Sequence, residues 1–299
     1  MKTRFIGIDY LTFFLILWNI VYAAIGWNRI TSPLTHILTF FSIGVIILLI
    51  IWLEKEYSTP LIRFVRDAYP IFLFGYFFEA TSHVNHVVFR NFLDPWFQNI
   101  DQMLFSYQPS LVWGAVCNSP VIQEISHFSY FSYYLMIAGI PIYLYLKNRK
   151  AFHETLFTIV LVFYFCYFIY SWLPVVGGRY FPEAKQISTM FQDGIFTRIM
   201  ALIYTKSPHM GGAFPSSHVA ISIVITWAAL RYVRRIGYVL VPITFLLCLS
   251  TVHCHYHYFI DVIAGLFTGI LLYPIAVFLY QKWPVVIPAD SHKTHLRKN

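Results

Sequence analysis

The sequence predicts an all-α fold, a polytopic bundle of transmembrane helices. Of the 299 residues, 58% are hydrophobic and only 11% are charged, whereas soluble domains carry about 25% charged residues. Eight apolar stretches are each close to the length of about 20 residues that crosses the hydrocarbon core of a bilayer. They are 10–27, 36–53, 70–89, 121–146, 152–173, 213–232, 237–254 and 258–280.

The distribution of Lys and Arg predicts the orientation of these spans. If the N-terminus is cytoplasmic, fifteen basic residues lie on the cytoplasmic side and six on the other. This bias is the one expected for a chain with both termini in the cytoplasm. Because the basic residues occur in small groups between apolar stretches, topology explains the net charge of +8, and we expect membrane lipids rather than nucleic acid as partners.

We expect one integral membrane domain over residues 1–299. An accessory pair of helices covers about 1–68, a catalytic helical core covers about 69–285, and 286–299 forms a basic cytoplasmic tail. The basic start followed by an apolar stretch resembles a signal peptide. However, Asp9 interrupts its approach and seven more spans follow, so the sequence favours a first helix that is retained.

A first polar cluster precedes the sixth span, in the run Gly-Gly-Ala-Phe-Pro-Ser-Ser-His at 211–218. Pro and Ser favour a helix start, where free N–H groups and the positive end of the helix dipole attract an anion. Gly212 allows close approach of the backbone, and Ser216 and Ser217 can donate to phosphoryl oxygens. An ordinary helix cap followed by a chance histidine, His218, is the alternative.

A second cluster, His257 and Asp261, begins the last span. Residues four apart share a helix face, so the carboxylate can hold one ring nitrogen while the other faces a substrate. Asp261 is costly inside a membrane unless it is paired, although a purely structural pair is the alternative. With His218 on the same side of the membrane, the clusters suit phosphoryl transfer through a phosphohistidine.

The neighbouring histidines raise a competing hypothesis. His253, His255 and His257 could together ligate zinc, but their alternating spacing suits a strand and the flanking sequence is helical. Only His257 has an acidic residue four positions later. We therefore predict neither a metal nor an organic cofactor.

A long segment between the third and fourth spans predicts an amphipathic helix within 94–105. Trp96, Phe97, Ile100 and Leu104 fall on one face, which would lie at the membrane interface. A cap over the bundle and a role in admitting lipid substrate both remain open.

Polar side chains also occur within the third and fourth spans, and we expect a structural network more than a catalytic one. If they are functional, they shape the pocket for a headgroup or an acceptor alcohol. These residues are Glu79, His83, Asn85, His86, Glu124 and His127. A disulfide between Cys117 and Cys254 is not demanded by the cysteine spacing.

The runs at 211–218 and 257–262 resemble the second and third signature motifs of the type 2 phosphatidic acid phosphatase superfamily. The similarity covers about 170–280 and is greatest to the inositol phosphorylceramide synthase and sphingomyelin synthase branch. The resemblance implies a six-helix catalytic core. It also implies that His257 is the nucleophile, that Asp261 orients it and that His218 is the general acid.

The chain departs from the phosphatases of that superfamily in its cations. A Lys and an Arg that they usually carry are replaced here by Trp172 and by the pair at 250–251, Ser-Thr. Arg179 and Lys206 remain as phosphate-binding residues, which suits a phosphodiester bearing one negative charge. We therefore expect transfer of a headgroup from a lipid phosphate to a lipid alcohol acceptor.

Two other functions remain as alternatives. One is a plain lipid phosphate phosphatase acting on phosphatidic acid or a prenyl pyrophosphate. The other is a proton-coupled transporter or flippase. A transporter is disfavoured because the ionisable residues of the last three spans gather at one end.

Overall fold

The computed structural model describes residues 5–57, 59–117, 119–184, 194–206 and 209–282. Within them the protein is an all-α bundle, as predicted, and its only β pairing is a single bridge between Val175 and Gly212. The main helices are α1 (Gly7–Ile25), α2 (Pro33–Glu56), α3 (Pro60–Val84), α4 (Asp94–Phe105), α5 (Pro109–Val116), α6 (Pro120–Lys147), α7 (Arg149–Tyr170), α8 (Ile195–Lys206), α9 (Ser217–Tyr232), α10 (Arg234–His253) and α11 (Phe259–Lys282).

Five of these helices, α1, α2, α7, α10 and α11, are long and apolar enough to cross a membrane, which supports an integral membrane protein. The other three predicted spans are helical too. Helices α3 and α6 contain 25 and 28 residues but are more polar, and α9 has only 16 residues. These three helices carry side chains of the site described below, which explains the more polar character of α3 and α6.

Helices α7 and α9 form the centre of the bundle. The most apolar stretch of α7 is 78% buried, and α9 packs against α6, α7, α10 and α11. This packing places the first residues of α9 among four other helices, so the polar cluster at 211–218 is enclosed rather than exposed at the end of the bundle.

A buried ion pair joins α1 to α3. Arg66 Nη2 lies 2.6 Å from Asp9 Oδ2, and the Tyr69 hydroxyl donates to Asp9 Oδ1 at 2.8 Å. Paired and hydrogen-bonded, a charge is tolerated at membrane depth. Helix α3 begins at Pro60, ahead of the predicted start of the core at 69, so this pair ties α1 directly to a helix of the site.

The predicted amphipathic helix is confirmed as α4, but its buried face is acidic. Asp94, Phe97 and Asp101 are buried, whereas Trp96 is 62% exposed. Asp101 accepts hydrogen bonds from the backbone N–H groups of residues 259 and 260 at 2.8 and 3.0 Å. The apolar face of α4 is therefore free to contact lipid while the acidic face holds the start of α11.

Several polar residues of α3 and α6 support the backbone. Glu124 accepts hydrogen bonds from the N–H groups of Phe196 and Thr197 at 3.0 and 2.9 Å and so caps the start of α8. The Asn85 amide donates to Met210 O at 2.9 Å. These contacts favour a structural role for Glu124 and Asn85.

All four cysteines are free, and residues 286–299 lie outside the described part of the chain.

Candidate active site

His257 lies in the turn between α10 and α11, where its backbone N–H donates to Thr251 O at 3.0 Å. One turn later, Asp261 Oδ2 lies 3.4 Å from His257 Nδ1. Asp261 is fully buried, and the same Oδ2 accepts the N–H of Tyr258 at 2.9 Å. The structure thus brings Asp261 next to Nδ1 of His257, but within the described residues Nδ1 has no hydrogen-bond partner. Such contacts are often long before substrate binds.

The other ring nitrogen, His257 Nε2, lies 3.1 Å from Ser216 Oγ. Ser216 also caps α9, since its Oγ accepts the N–H of Val219 at 3.4 Å. A hydroxyl has one proton, so Ser216 can donate to Nε2 while Nδ1–H points toward Asp261. In this tautomer the Nε2 lone pair accepts the hydrogen bond from Ser216, so that bond has to break before Nε2 can act as a nucleophile.

The charge state of His257 follows from its surroundings. Burial holds the pKa of His257 well below its ordinary value, and the neighbouring His218 and Arg179 lower that pKa further. The imidazole is therefore neutral at neutral pH. A neutral ring beside a buried carboxylate can attack an electrophile and be stabilised as a cation afterwards.

A cavity of about 460 Å³ opens beside these residues. Five of the predicted site residues line its polar end: Arg179, Gly212, Ser217, His218 and His257. Ser216 and Asp261 do not line the cavity, but both lie next to the His257 ring. The side chain of Lys206 lies outside the described part of the structure, so its predicted role in phosphate binding stays a prediction.

Arg179 faces the cavity from a short 3-10 turn over residues 178–180. Its guanidinium carbon lies 4.5 Å above the ring of Tyr204, and its buried Nε has no hydrogen-bond partner. Buried donors of this kind are normally satisfied. An anion bound in the cavity would supply the missing acceptor.

Arg179 is the only Lys or Arg among the described residues that line the cavity. Trp172 stacks on Trp18 with ring centroids 5.6 Å apart. Thr251 is fully buried, and its hydroxyl donates to Cys248 O at 2.7 Å. Neither of the two replaced positions lines the cavity, and the part of its wall that the structure describes offers one permanent positive charge.

His218, in the first turn of α9, faces His257 with ring centroids 6.0 Å apart. Its Nε2 lies 3.0 Å from the Tyr130 hydroxyl, which lies 2.7 Å from the Tyr204 hydroxyl. The ring of Tyr133 packs on His218 at 4.5 Å. The sequence motifs did not single out these tyrosines. Tyr130 and Tyr133 are three positions apart in α6, and this helical spacing was their signal.

From this polar end an apolar arm of the cavity extends between α3 and α6, over α7. Its walls are Ile71, Phe74, Gly75, Ile137, Ala138 and Phe163. Ile71 is 38% exposed, and a Cβ added to Gly75 would meet no atom within 4 Å. The arm therefore has room for a hydrocarbon chain next to the charged end.

The alternating histidines do not form a common metal site. His253 and His255 lie outside the cavity wall. His255 has a φ of 62° and packs its ring against Gly114. Within the described ranges, no group of three or more His, Cys, Asp or Glu side chains is placed to hold a metal ion.

A family model described as the PAP2 superfamily matches residues 95–275, more than half of the chain. The matched region runs from α4 into α11 and contains both polar clusters, Arg179 and Tyr130. The chain matches no curated protein and no solved structure.

Proposed function

The chain belongs to the PAP2 superfamily, whose members are phosphatases or phosphotransferases, and from that membership we propose a specific reaction. The enzyme cleaves a lipid phosphodiester through a phosphohistidine on His257 and transfers the headgroup phosphoryl unit to a lipid alcohol, as inositol phosphorylceramide synthases do. One observation carries the proposal. His257, His218 and the unsatisfied Arg179 line the same end of a cavity whose other end is apolar.

In the first step the lipid enters with its chain in the apolar arm and its phosphate against Arg179, the backbone at Gly212 and the hydroxyl of Ser217. His257 Nε2 attacks phosphorus, and the bond from phosphorus to the lipid alcohol breaks. His218 supplies the proton that the departing alkoxide needs. Asp261 stabilises the positive charge that develops on the imidazole ring of His257.

In the second step the headgroup phosphoryl unit leaves His257. The hydroxyl of a second lipid alcohol attacks phosphorus, His218 takes its proton, and the bond from phosphorus to Nε2 breaks. The result is a new phospholipid and a regenerated enzyme. Water in place of the alcohol would release the headgroup as its phosphate monoester, so the occupant of the acceptor position decides between transfer and hydrolysis of the diester.

The charge of the site supports a diester substrate. One guanidinium lines the described wall of the cavity, and a phosphodiester carries one negative charge. A monoester approaches two negative charges at neutral pH, because its second pKa is about 6. Burying the second charge without a second cation is costly. The balance of charges therefore favours a headgroup-bearing phospholipid over phosphatidic acid.

The test is a product analysis with purified protein and lipids labelled in the phosphoryl group, with and without ceramide or diacylglycerol. Transfer yields a new labelled phospholipid that depends on the added alcohol. A plain phosphatase releases labelled phosphate and acts fastest on phosphatidic acid or a prenyl pyrophosphate. That outcome, with no acceptor-dependent product, would contradict the proposed transfer. The His257→Asn protein serves as the inactive control.

We also propose that the site faces away from the cytoplasm, with both termini cytoplasmic. The asymmetry of Lys and Arg supports this orientation. The ionisable residues that line the cavity, among them Arg179, His218 and His257, gather at one end of it. Such a grouping fits catalysis at one membrane face better than a proton path across the membrane.

A further inference from the structure

A third histidine, His209, lies at the polar end of the cavity and belongs to neither catalytic cluster. The side chain is 4% exposed, and its ring stacks on Phe78 with centroids 3.9 Å apart and an angle of 25° between the planes. A buried, stacked imidazole has a fixed orientation. The role of each ring nitrogen can therefore be worked out from its neighbours.

The first nitrogen, Nε2, is held by Thr81, whose Oγ1 lies 2.9 Å away. The Thr81 hydroxyl donates to the carbonyl oxygen of Phe78 at 2.8 Å. Because the hydroxyl has a single proton, Oγ1 accepts from His209, and Nε2 carries the hydrogen. The other nitrogen, Nδ1, is then left with a lone pair.

The ring is also neutral. Burial lowers the pKa of His209 to about 3, and the nearby charges of Arg179 and His83 contribute to that shift. At neutral pH the Nδ1 lone pair is therefore free to accept a hydrogen bond.

The edge of the ring that carries Nδ1 lies at the cavity wall beside Gly212. A Cβ at Gly212 would lie 2.4 Å from Cε1 and 3.2 Å from Nδ1 of His209. His209 and Gly212 both line the cavity together with His218 and His257. The absence of a side chain at residue 212 thus leaves room for the imidazole at the polar end.

The lone pair of a neutral imidazole repels phosphoryl oxygens and attracts the hydrogen of a hydroxyl group. The Arg179 guanidinium, which has only hydrogen-bond donors, attracts phosphoryl oxygens instead. We propose that Nδ1 of His209 is the hydrogen-bond acceptor for a hydroxyl group of the organic substrate. The hydroxyl belongs either to a polyol headgroup of the donor lipid or to the lipid alcohol acceptor, in which case it is a hydroxyl other than the one that attacks phosphorus and gives its proton to His218. This assignment rests on the proposed function, because that function places both groups in this cavity.

Two substitutions separate the nitrogens of His209. An asparagine amide reaches the position of Nδ1, whereas a glutamine amide reaches that of Nε2. His209→Asn therefore keeps a polar atom for the hydroxyl, and His209→Gln keeps only the contact to Thr81. Thr81→Val is a third variant, which leaves His209 in place and removes the contact that fixes its tautomer.

The donor arm measures lipid binding rather than turnover. Phospholipids with inositol or glycerol headgroups compete with a choline lipid for the His257→Asn protein, which cannot form a phosphohistidine. The acceptor arm uses catalytically intact protein and measures how the phosphoryl unit partitions between water and ceramide. The control acceptor is ceramide methylated at the hydroxyl that does not attack phosphorus.

We expect His209→Gln to reduce the preference for the hydroxyl-bearing ligand about tenfold in one arm, the value of one hydrogen bond. His209→Asn should keep that preference, and Thr81→Val should reduce it by a smaller factor. The assay that responds, lipid binding or partitioning of the phosphoryl unit, identifies the source of the hydroxyl. An unchanged preference in both arms for His209→Gln would overturn the assignment even if transfer occurs. If His209→Gln loses the preference in the binding arm and the wild-type protein shows no turnover, the assignment is supported and the proposed reaction is contradicted.

Discussion

The imidazole rings of His218 and His257 face each other edge to face, with centroids 6.0 Å apart. They are 39 positions apart in the sequence and come from the starts of two adjacent helices. In the proposed reaction phosphorus lies between the two rings, where His257 attacks it and His218 exchanges a proton with the leaving or entering alcohol.

The role of His218 as the acid depends on the leaving group. His218→Ala should slow release of a lipid alkoxide by about 100-fold or more, whereas a p-nitrophenolate ester should be affected far less because this leaving group needs little protonation. Tyr130→Phe removes the hydroxyl 3.0 Å from His218 Nε2 and should show the same pattern, weakened. Equal losses for both leaving groups would make His218 a phosphate contact. Rates of product release from the two esters are the measurement.

Arg179 should carry the phosphate binding. Arg179→Lys keeps the charge but loses the forked donor geometry, so we expect kcat/KM to fall by about tenfold or more. Arg90→Lys, at an exposed arginine, is the matched control and should leave kcat/KM unchanged. If Arg179→Lys left kcat/KM unchanged, as Arg90→Lys is expected to do, Arg179 would not be the phosphate-binding residue.

The apolar arm should accept the lipid chain. Gly75→Leu fills the arm and improves helix propensity, so we expect a raised KM for long-chain substrates, an unchanged rate with a short-chain soluble ester and no loss of thermal stability. Gly139→Leu is the control, because Gly139 is equally open but does not line the cavity. If Gly75→Leu and Gly139→Leu had the same KM for long-chain lipids, the hydrocarbon chain of the lipid would not bind in the apolar arm.

Sidedness can be tested with a native residue. Cys117 is exposed, whereas Cys166 and Cys254 are buried. We expect a membrane-impermeant maleimide to label Cys117 in intact cells or right-side-out vesicles, and Cys117→Ser to abolish the label. Lys55→Cys in the Cys117→Ser background marks the cytoplasmic side and should be labelled only after permeabilisation. The reverse order of labelling would place the site on the cytoplasmic face.

The two polar clusters were predictable as local groupings because their signals are local. The spacing of His257 and Asp261 indicated that they lie close together, although His257 lies in the turn before α11 and not on the helix itself. The serines before His218 mark a helix start. The contact between Ser216 Oγ and His257 Nε2 was not predictable, since it joins residues 41 positions apart. The sequence assigned Ser216 to phosphate, and the structure places it against the nucleophile.

The predictions for α4 illustrate the same limit. The spacing of Trp96, Phe97 and Leu104 identified an amphipathic helix, but periodicity does not show what each face contacts. Asp101 is buried because its partners are N–H groups of α11, 158 and 159 positions along the chain. His209 lay in no motif, and only its stacking on Phe78 inside the cavity distinguishes it from any other loop histidine.

The most direct test of the account is to trap the covalent intermediate. The protein is incubated briefly with a phospholipid labelled in the phosphoryl group, quenched without acid and digested, and the labelled peptide is sequenced by mass spectrometry. We expect the label on His257. It should be absent in His257→Asn and form about 100-fold more slowly in Asp261→Asn. It should persist in His255→Asn, because asparagine tolerates the left-handed backbone at residue 255. A label on another residue, or full turnover by His257→Asn, would contradict the account.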